Sequence, residues 1–163
     1  CRIAVDTFGF DACLDHRAHA DARSLREALA AECPKGIDIY YENVGGKVLE
    51  AVLPMMNTFG RIPLCGMVSS YNQGSSADVD ASRPDRLPML WRSILVKQMS
   101  LNGFIISNHY DRYSAFLAEV APLVANGKIA WLEDIAEGLE NAPAAFIGML
   151  EGRNLGKQIV RVG

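Results

Sequence analysis

Two polar stretches of the sequence directly follow apolar runs, and their residue types are suited to binding a ligand. The first is "ENVGG" (residues 42–46), which comes after the apolar run "IDIYY". Gly45 and Gly46 would let a ligand approach backbone N–H groups at the start of a helix, where anionic or polar groups are favoured. Asn43 adds a side-chain donor and acceptor at the same place. Both a ligand site and a simple tight turn between strand and helix agree with this pattern.

The second stretch is "CGMVSSYN" (residues 65–72), which also follows an apolar run. Gly66 permits close approach of a ligand to the backbone, and the residues after it cluster hydroxyl and amide groups. These residues are Ser69, Ser70, Tyr71 and Asn72. The loop over residues 69–83 is longer than most connections, which is typical of functional lids and of disordered segments. Tyr71 is therefore either part of a site or an ordinary surface tyrosine.

The cysteines and histidines show no pattern that is typical of a metal site. No CxxC pair occurs, and no histidine lies at ligand spacing from a cysteine. The residues concerned are Cys1, Cys13, Cys33, Cys65, His16, His19 and His109. We therefore predict buried, unreactive thiols and assign no metal ligand.

Short apolar runs alternate with amphipathic patterns along the chain, and this alternation predicts the fold. We predict six strands, each separated from the next by a helix. The strands are residues 12–16, 37–41, 61–68, 100–107, 131–137 and 156–162, and the helices are residues 20–33, 46 to a kink or end at Pro54, 86–97, 110–126 and 141–152. Strict alternation favours a parallel sheet with helices on both faces, which predicts a Rossmann-like doubly wound α/β domain over residues 1–163.

Composition and charge exclude several classes of function. The net charge of −3 and the isoelectric point of 5.6 leave no electrostatic footprint for nucleic acid. No apolar run approaches the ~18 residues that a membrane span requires, and "CRIAVDTFGFDA" lacks the layout of a signal peptide. We expect a cytoplasmic protein.

The opening residues are also typical of the end of a helix that stops at Gly9, which predicts that the chain is part of something longer.

Four segments together carry a resemblance to a known family. They are "GFDACLDH", "GIDIYYENVGGKVLEAVLPMMNTFGRIPLCGMVSSYN", "DRLPMLWRSILVKQMSLNGFIIS" and "GKIAWLEDIAEGLENAPAAFIGMLEGRNLGKQIVRVG". With these motifs the chain resembles the zinc-independent medium-chain dehydrogenase/reductases, in the group of NADP-dependent alkenal (one double-bond) reductases that includes prostaglandin reductases and curcumin reductases. The resemblance covers essentially every residue.

The resemblance also implies that parts of such an enzyme are missing from this chain. Members of the group carry an N-terminal barrel-like domain, followed by two strands with a glycine-rich phosphate turn and a lysine that reads the 2′-phosphate. No GxGxxG turn follows any predicted strand here. We therefore expect a partial dinucleotide-binding domain without its first two strands, whose C-terminal segment returns toward the missing domain. The resulting gap in the sheet predicts that a partner fills it or that the first residues are displaced.

The resemblance implies NADP (NADPH) as the cofactor and assigns residues to it. Asn43 would lie against the cofactor, and a segment after it would follow the nicotinamide-side ribose and the diphosphate. That segment consists of Cys65, Gly66, Met67, Val68, Ser69, Ser70 and Tyr71. Backbone contacts near the nicotinamide would come from Phe104, Ile105 and Ile106. Asn154 would contact the cofactor from the last loop, and His16 would lie near the adenosine 2′-phosphate.

The implied reaction is hydride transfer from nicotinamide to the β-carbon of an α,β-unsaturated aldehyde or ketone, without a metal. Charge then builds on the carbonyl oxygen, and one positioned donor there is typically worth ~3 kcal/mol. Tyr71 is the candidate catalytic donor, because a phenol donates a hydrogen bond while it remains un-ionised at neutral pH.

The resemblance further implies small-molecule enone, enal or quinone substrates and a homodimer that pairs through the nucleotide domain. The apolar stretch "SLNGFIIS" is suited to such pairing if it lies at a sheet edge. Three alternatives remain open: a dimerising or nucleotide-binding module without catalysis, a zinc-independent quinone reductase, and a methyltransferase-like domain. We expect the longer parent to be an enzyme and this chain alone to be inactive.

Overall fold

The computed structural model describes residues 1–70 and 86–163. The chain divides into two compact units. One unit contains Cys1 and Ala12–Tyr113, and the other contains Arg2–Asp11 and Ser114–Gly163. Each unit is built around parallel strands.

The first unit contains a three-stranded parallel sheet in the order β1-β2-β3. Its strands are β1 (Ile37–Ile39), β2 (Met56–Leu64) and β3 (Ser100–Gly103), and its helices are α2 (Ala22–Glu32), α3 (Gly46–Val52) and α4 (Leu87–Lys97). Parallel neighbours require a crossover, and α3 and α4 provide the helices of the two crossovers. A 3₁₀ segment, Ile106–Arg112, follows the last strand.

The second unit contains two parallel strands, β4 (Glu133–Glu137) and β5 (Lys157–Arg161). Helix α6 (Ala142–Leu150) lies between them in sequence and packs on β5. This unit also holds α1 (Arg2–Asp6) and nearly all of α5 (Tyr113–Ala125), which contains Pro122. The α/β architecture with parallel strands confirms the fold class that the alternating pattern predicts.

The buried core of the first unit lies where α3 meets β2. It consists of Val52, Leu53, Met56, Ile62 and Met99. Helix α3 ends at Val52, and a 3₁₀ turn, Leu53–Met55, carries the chain into β2. Pro54 lies in this turn, and the helix does not continue through it because proline lacks the N–H that a continuing helix needs. The predicted end of the helix at Pro54 is therefore confirmed.

The strand predicted over residues 12–16 is wrong. Residues 12–15 have no regular structure, and His16–Ala18 form one 3₁₀ turn. The Asp15 carboxylate accepts a hydrogen bond from the Arg17 backbone N–H at 3.0 Å, which stabilises this local turn. A strand needs a neighbour for its backbone groups, and a local side-chain bond competes with it where no neighbour pairs.

Strand boundaries also differ from the predictions. The described residues contain five strands in two sheets rather than six strands in one. β2 begins five residues before the predicted position 61 and ends at Leu64, and β3 ends at Gly103 because the chain soon turns into the 3₁₀ segment. The predicted helices over residues 20–33, 86–97, 110–126 and 141–152 are confirmed to within three residues at each end.

Candidate functional site

The carboxyl ends of β2 and β3 border a cleft of about 430 Å³. In open parallel sheets ligands bind beyond the carboxyl ends of the strands, so this is the place where the fold predicts a site. The lining residues are Leu64, Cys65, Gly66, Met67, Gly103, Phe104, Ile105 and Asn108.

Most of this lining is apolar. The Phe104 backbone N–H donates to the Leu64 carbonyl at 3.2 Å, which ties the end of β3 to the end of β2. The Phe104 ring meets the His109 ring edge-on, with ring centroids 6.4 Å apart. Asn108 is the amide side chain in the lining. Cys65 is exposed and forms no disulfide, and the same holds for Cys1 and Cys13, so the predicted burial of these three thiols is wrong. An apolar cleft with a few polar groups is the usual form of a small-molecule site.

Beside the cleft, the turn after β1 is built around Glu42. This residue is only 2% exposed. Its Oε1 accepts hydrogen bonds from the backbone N–H groups of Val44 at 2.6 Å and Gly45 at 2.7 Å. Its Oε2 accepts from the Tyr40 hydroxyl at 3.1 Å. Three donors therefore satisfy a carboxylate that has lost its contact with water.

The same turn is hydrogen-bonded to the chain segment that lines the cleft. Three of its carbonyl oxygens accept from backbone N–H groups that follow β2. The bonds run from Cys65, Val68 and Ser69 to Glu42, Asn43 and Val44, at 2.8, 3.1 and 3.0 Å respectively. The turn and the cleft wall are therefore joined by main-chain bonds.

The requirement for glycine at position 45 has a specific steric reason. Gly45 adopts φ +77° and ψ −158°, a conformation that is essentially open only to glycine. A Cβ atom there would also lie 3.2 Å from the Ser69 hydroxyl oxygen. The turn can pack this closely against the following segment because Gly45 has no side chain.

These contacts change the interpretation of the glycine turn. The N–H groups of Val44 and Gly45 are already bonded to the Glu42 carboxylate. Of the two glycines whose backbone N–H groups the sequence pattern offers to a ligand, Gly45 is therefore already occupied, and at this residue the structure agrees with the alternative of a tight turn between strand and helix. Sequence reasoning missed Glu42, although an acidic residue at the end of a strand and three residues before a glycine was a signal that it caps the turn.

Two tyrosines next to this turn have raised pKa values. Burial, followed by the charge of Glu42 and the hydrogen bond to it, raises the pKa of Tyr40 far above its usual value. Tyr40 therefore remains a hydrogen-bond donor throughout the neutral range. A hydrogen bond with the Cys65 side chain raises the pKa of the exposed Tyr41 hydroxyl.

The structure brings most of the predicted cofactor residues to one edge of the sheet. The exposed Asn43 lies in the turn after β1, and residues 65–69 follow β2. Cys65, Gly66, Met67, Phe104 and Ile105 line the cleft directly, whereas Val68, Ser69 and Ser70 form the 3₁₀ turn beside it and Ile106 begins the segment after β3. The proposed donor Tyr71 lies outside the described residues.

The remaining two predicted residues lie in other segments of the chain. His16 is exposed in the 3₁₀ turn His16–Ala18 and does not line the cleft. Asn154 belongs to the second unit, in the loop before β5, where its side-chain amide donates to the Gly156 carbonyl at 2.7 Å.

Within residues 1–70 and 86–163, no group of three or more histidine, cysteine, aspartate or glutamate residues is placed to hold a metal ion. Within the same ranges no helix combines the length and the apolar character that crossing a membrane requires.

Fold and site together define a class. Parallel strands that alternate with helices, with an apolar cleft at their carboxyl ends, make this a Rossmann-like α/β protein. The family model described as zinc-binding dehydrogenase matches residues 8–160, and the chain belongs to this family.

Comparison with known proteins shows which members of the family the chain is similar to. The chain is 53% identical over 163 residues to the NADPH-dependent curcumin reductase of Escherichia coli (strain K12), covering 99% of this chain and 45% of that protein. It is 41% identical over 155 residues to the 2-alkenal reductase (NADP(+)-dependent) of Nicotiana tabacum, covering 95% and 42%. The crystal structure of CurA from Vibrio vulnificus in complex with NADPH superposes with a TM-score of 0.87 at 49% identity, covering 100% and 46%.

These similarities confirm the resemblance that the sequence motifs indicate. The NADP cofactor that the resemblance implies agrees with the names of both relatives and with the CurA complex. The chain spans less than half the length of the curated relatives it matches.

Proposed function

We propose that this chain is the nucleotide-binding part of an NADPH-dependent oxidoreductase that reduces the C=C bond of α,β-unsaturated aldehydes and ketones. The observation that carries this proposal is the cleft at the carboxyl ends of β2 and β3, which is lined by Cys65–Met67 and Phe104–Ile105. These residues coincide with those that the family resemblance assigns to the cofactor. The relatives named above supply the reaction class.

The residues around the cleft fit one half of the cofactor. The nicotinamide ring is flat and largely apolar, and the lining beside Leu64 and Phe104 offers a matching surface. The exposed amide of Asn43 is available at the neighbouring turn for hydrogen bonds to the ribose or carboxamide. The N–H groups of Val44 and Gly45 are bonded to Glu42, so the phosphates require other donors.

NADPH, when bound, supplies the hydride to the β-carbon of the substrate. Tyr71 is proposed to donate a hydrogen bond to the substrate carbonyl oxygen as negative charge develops there, an effect typically worth ~3 kcal/mol. This assignment is supported by the sequence position of Tyr71, which directly follows the segment Val68–Ser70. We propose that the reaction needs no metal, because the cysteines and histidines of the chain lack ligand spacing.

The proposal is tested with protein expressed from the complete reading frame. NADPH fluorescence measures cofactor binding, and the loss of NADPH absorbance measures turnover with an enal, an enone and a quinone. Saturable NADPH binding and faster turnover of the enal and enone than of the quinone are expected. A Tyr71→Phe variant should lose about 10²- to 10³-fold in kcat while NADPH affinity is kept.

Three results would contradict the proposal. Turnover of the quinone alone would indicate a quinone reductase. NADPH binding without any turnover would indicate a nucleotide-binding module. Absence of NADPH binding would remove the basis for the cofactor assignment.

A further inference from the structure

Among the described residues of the first unit, Glu42 is the most thoroughly buried polar residue, and the hydrogen-bond partners of its side chain there are neutral groups. It is 2% exposed, and among the described residues no ion pair includes it. Burial of a carboxylate is costly, so such groups are usually paired with a cation or fully hydrogen-bonded. Here two backbone N–H groups and the Tyr40 hydroxyl provide the hydrogen bonds.

The main chain of Glu42 is bonded to the cleft wall as well. Its N–H donates to the Pro63 carbonyl at 2.9 Å, and its carbonyl accepts from Cys65 at 2.8 Å and Gly66 at 3.3 Å. One residue therefore fixes two things: its side chain fixes the shape of the turn that carries Asn43, and its backbone fixes that turn to the segment that lines the cleft.

We propose that Glu42 is a positioning residue of the cofactor cleft, which holds the Asn43 turn and the segment after β2 in the geometry that binds the nicotinamide half of NADPH. This inference rests on the proposed function. The three hydrogen bonds that the Glu42 carboxylate accepts form a clamp that orders this turn. A turn that is already ordered loses less conformational freedom when the cofactor binds, so the clamp raises the affinity for NADPH through pre-organisation. Glu42 touches no cofactor atom in this account, because its carboxylate is buried and already accepts three hydrogen bonds from the chain itself.

The hydrogen bonds of the Glu42 side chain allow the effect of its geometry to be tested separately from the effect of its charge. Oε1 accepts both backbone N–H groups, and Oε2 accepts only the Tyr40 hydroxyl. A glutamine at position 42 keeps all three contacts, since its amide oxygen accepts from the two N–H groups. Only the direction of the Tyr40 contact reverses, because the amide NH₂ donates to the Tyr40 oxygen. Glutamine therefore keeps the clamp without the charge, whereas alanine removes the clamp.

The test measures NADPH affinity and amide hydrogen exchange in protein from the complete reading frame. Glu42→Ala is expected to raise the Kd of NADPH about tenfold or more and to speed exchange at Val44 and Gly45. Glu42→Gln should stay within about threefold of wild type in both readouts. Where Glu42→Ala yields no folded protein, Glu42→Met takes its place, since it keeps the side-chain length without a strong acceptor.

Leu25→Ala is the matched control for lost stability. Leu25 is 3% exposed on α2 and lies outside the cleft lining, so this variant should lower the Tm while the Kd of NADPH stays at its wild-type value. A Kd that rises as much in Leu25→Ala as in Glu42→Ala would overturn the positioning role. A Glu42→Gln variant as weak as Glu42→Ala would overturn it too, because charge and not geometry would then matter.

The same experiments distinguish a wrong cofactor assignment from a wrong positioning role of Glu42. If wild-type protein does not bind NADPH, the cofactor assignment is wrong, and hydrogen exchange still decides whether the clamp exists. Unchanged exchange at Val44 and Gly45 in Glu42→Ala overturns the clamp in either case.

Discussion

At the scale of single residues, the site depends on two positions that do no chemistry themselves. Glu42 accepts hydrogen bonds from backbone N–H groups that would otherwise have no partner at the start of α3, and Gly45 allows the turn to pack against Ser69. A positive φ angle and a close contact act together at Gly45, so a side chain there is opposed by both backbone strain and packing. The residues that meet a ligand are placed by these two.

Gly45→Ala is therefore expected to destabilise the protein by about 1–3 kcal/mol, which is the usual cost of a residue forced into a backbone region reserved for glycine. Urea unfolding measures this change. Gly103→Ala is the control, because a Cβ atom at Gly103 meets nothing within 4 Å. Equal stability losses in the two variants would contradict the steric explanation.

At the scale of secondary-structure elements, polar side chains decide where helices begin and how their ends are held. Helix α2 begins at a capping box, in which the Asp21 carboxylate accepts from the Ser24 backbone N–H at 2.8 Å. The last residue of α4, Lys97, reaches past the end of α3. Its ammonium group donates to the carbonyl oxygens of Pro54 at 2.7 Å and Met56 at 2.6 Å. The Asp21 cap satisfies a backbone N–H at the start of α2, and Lys97 satisfies carbonyl groups of the 3₁₀ turn and of the first residue of β2.

The cap at Asp21 predicts a pH dependence of stability. Hydrogen bonds from Ser24, first from its backbone N–H and then from its side chain, lower the pKa of Asp21 below the unfolded value of 3.8. Its contribution is therefore complete above pH 3.8 and is lost as the pH falls through the folded-state pKa. Unfolding experiments between pH 5 and about pH 2 should show a smaller acid-induced loss for Asp21→Asn, which keeps an acceptor that does not titrate. Equal acid sensitivity would contradict this.

Lys97→Met is expected to destabilise the first unit by about 1–3 kcal/mol, because methionine keeps the apolar stem but leaves two carbonyl groups without their charged donor. Thermal or urea unfolding measures the loss. Lys128→Met, at an exposed lysine, is the matched control and should change stability little. Similar losses in both variants would show that the contacts of Lys97 with Pro54 and Met56 carry no stability.

At the scale of the whole molecule, the outer strand of the first unit is suited to assembly with another chain. β3 is an outer strand in the order β1-β2-β3 of the first unit. Leu101 on this strand and Ile105 and Ile106 just after it are exposed to 40%, 63% and 64%. Exposed apolar outer strands favour pairing with another chain, so we propose that the protein forms a homodimer through β3.

Leu101→Lys is expected to convert the dimer to a monomer, because a charge on an outer strand opposes strand pairing. Light scattering after size-exclusion chromatography of protein from the complete reading frame measures the mass. Leu150→Lys, at an exposed position in α6 of the second unit, is the control and should leave the dimer intact. A monomeric wild type, or a Leu101→Lys variant that stays dimeric, would contradict pairing through β3.

The sequence by itself determined the helices, the parallel α/β class and the family, because helical periodicity, glycine turns and extended motifs are local signals. It also indicated that Asn43 and the segment after Cys65 belong to one site. The strand predicted over residues 12–16 failed because strand formation depends on a neighbour that no local pattern reports.

Only the tertiary structure decided what the glycine turn does. The role of Glu42 depends on its burial and on bonds to Pro63 and Cys65, more than twenty residues further along the chain. Such contacts arise from the packing of β1 against β2, and a sequence pattern of ten residues carries no record of them. For the same reason the sequence leaves both a ligand site and a tight turn open, whereas in the structure the N–H groups of Val44 and Gly45 already have a partner.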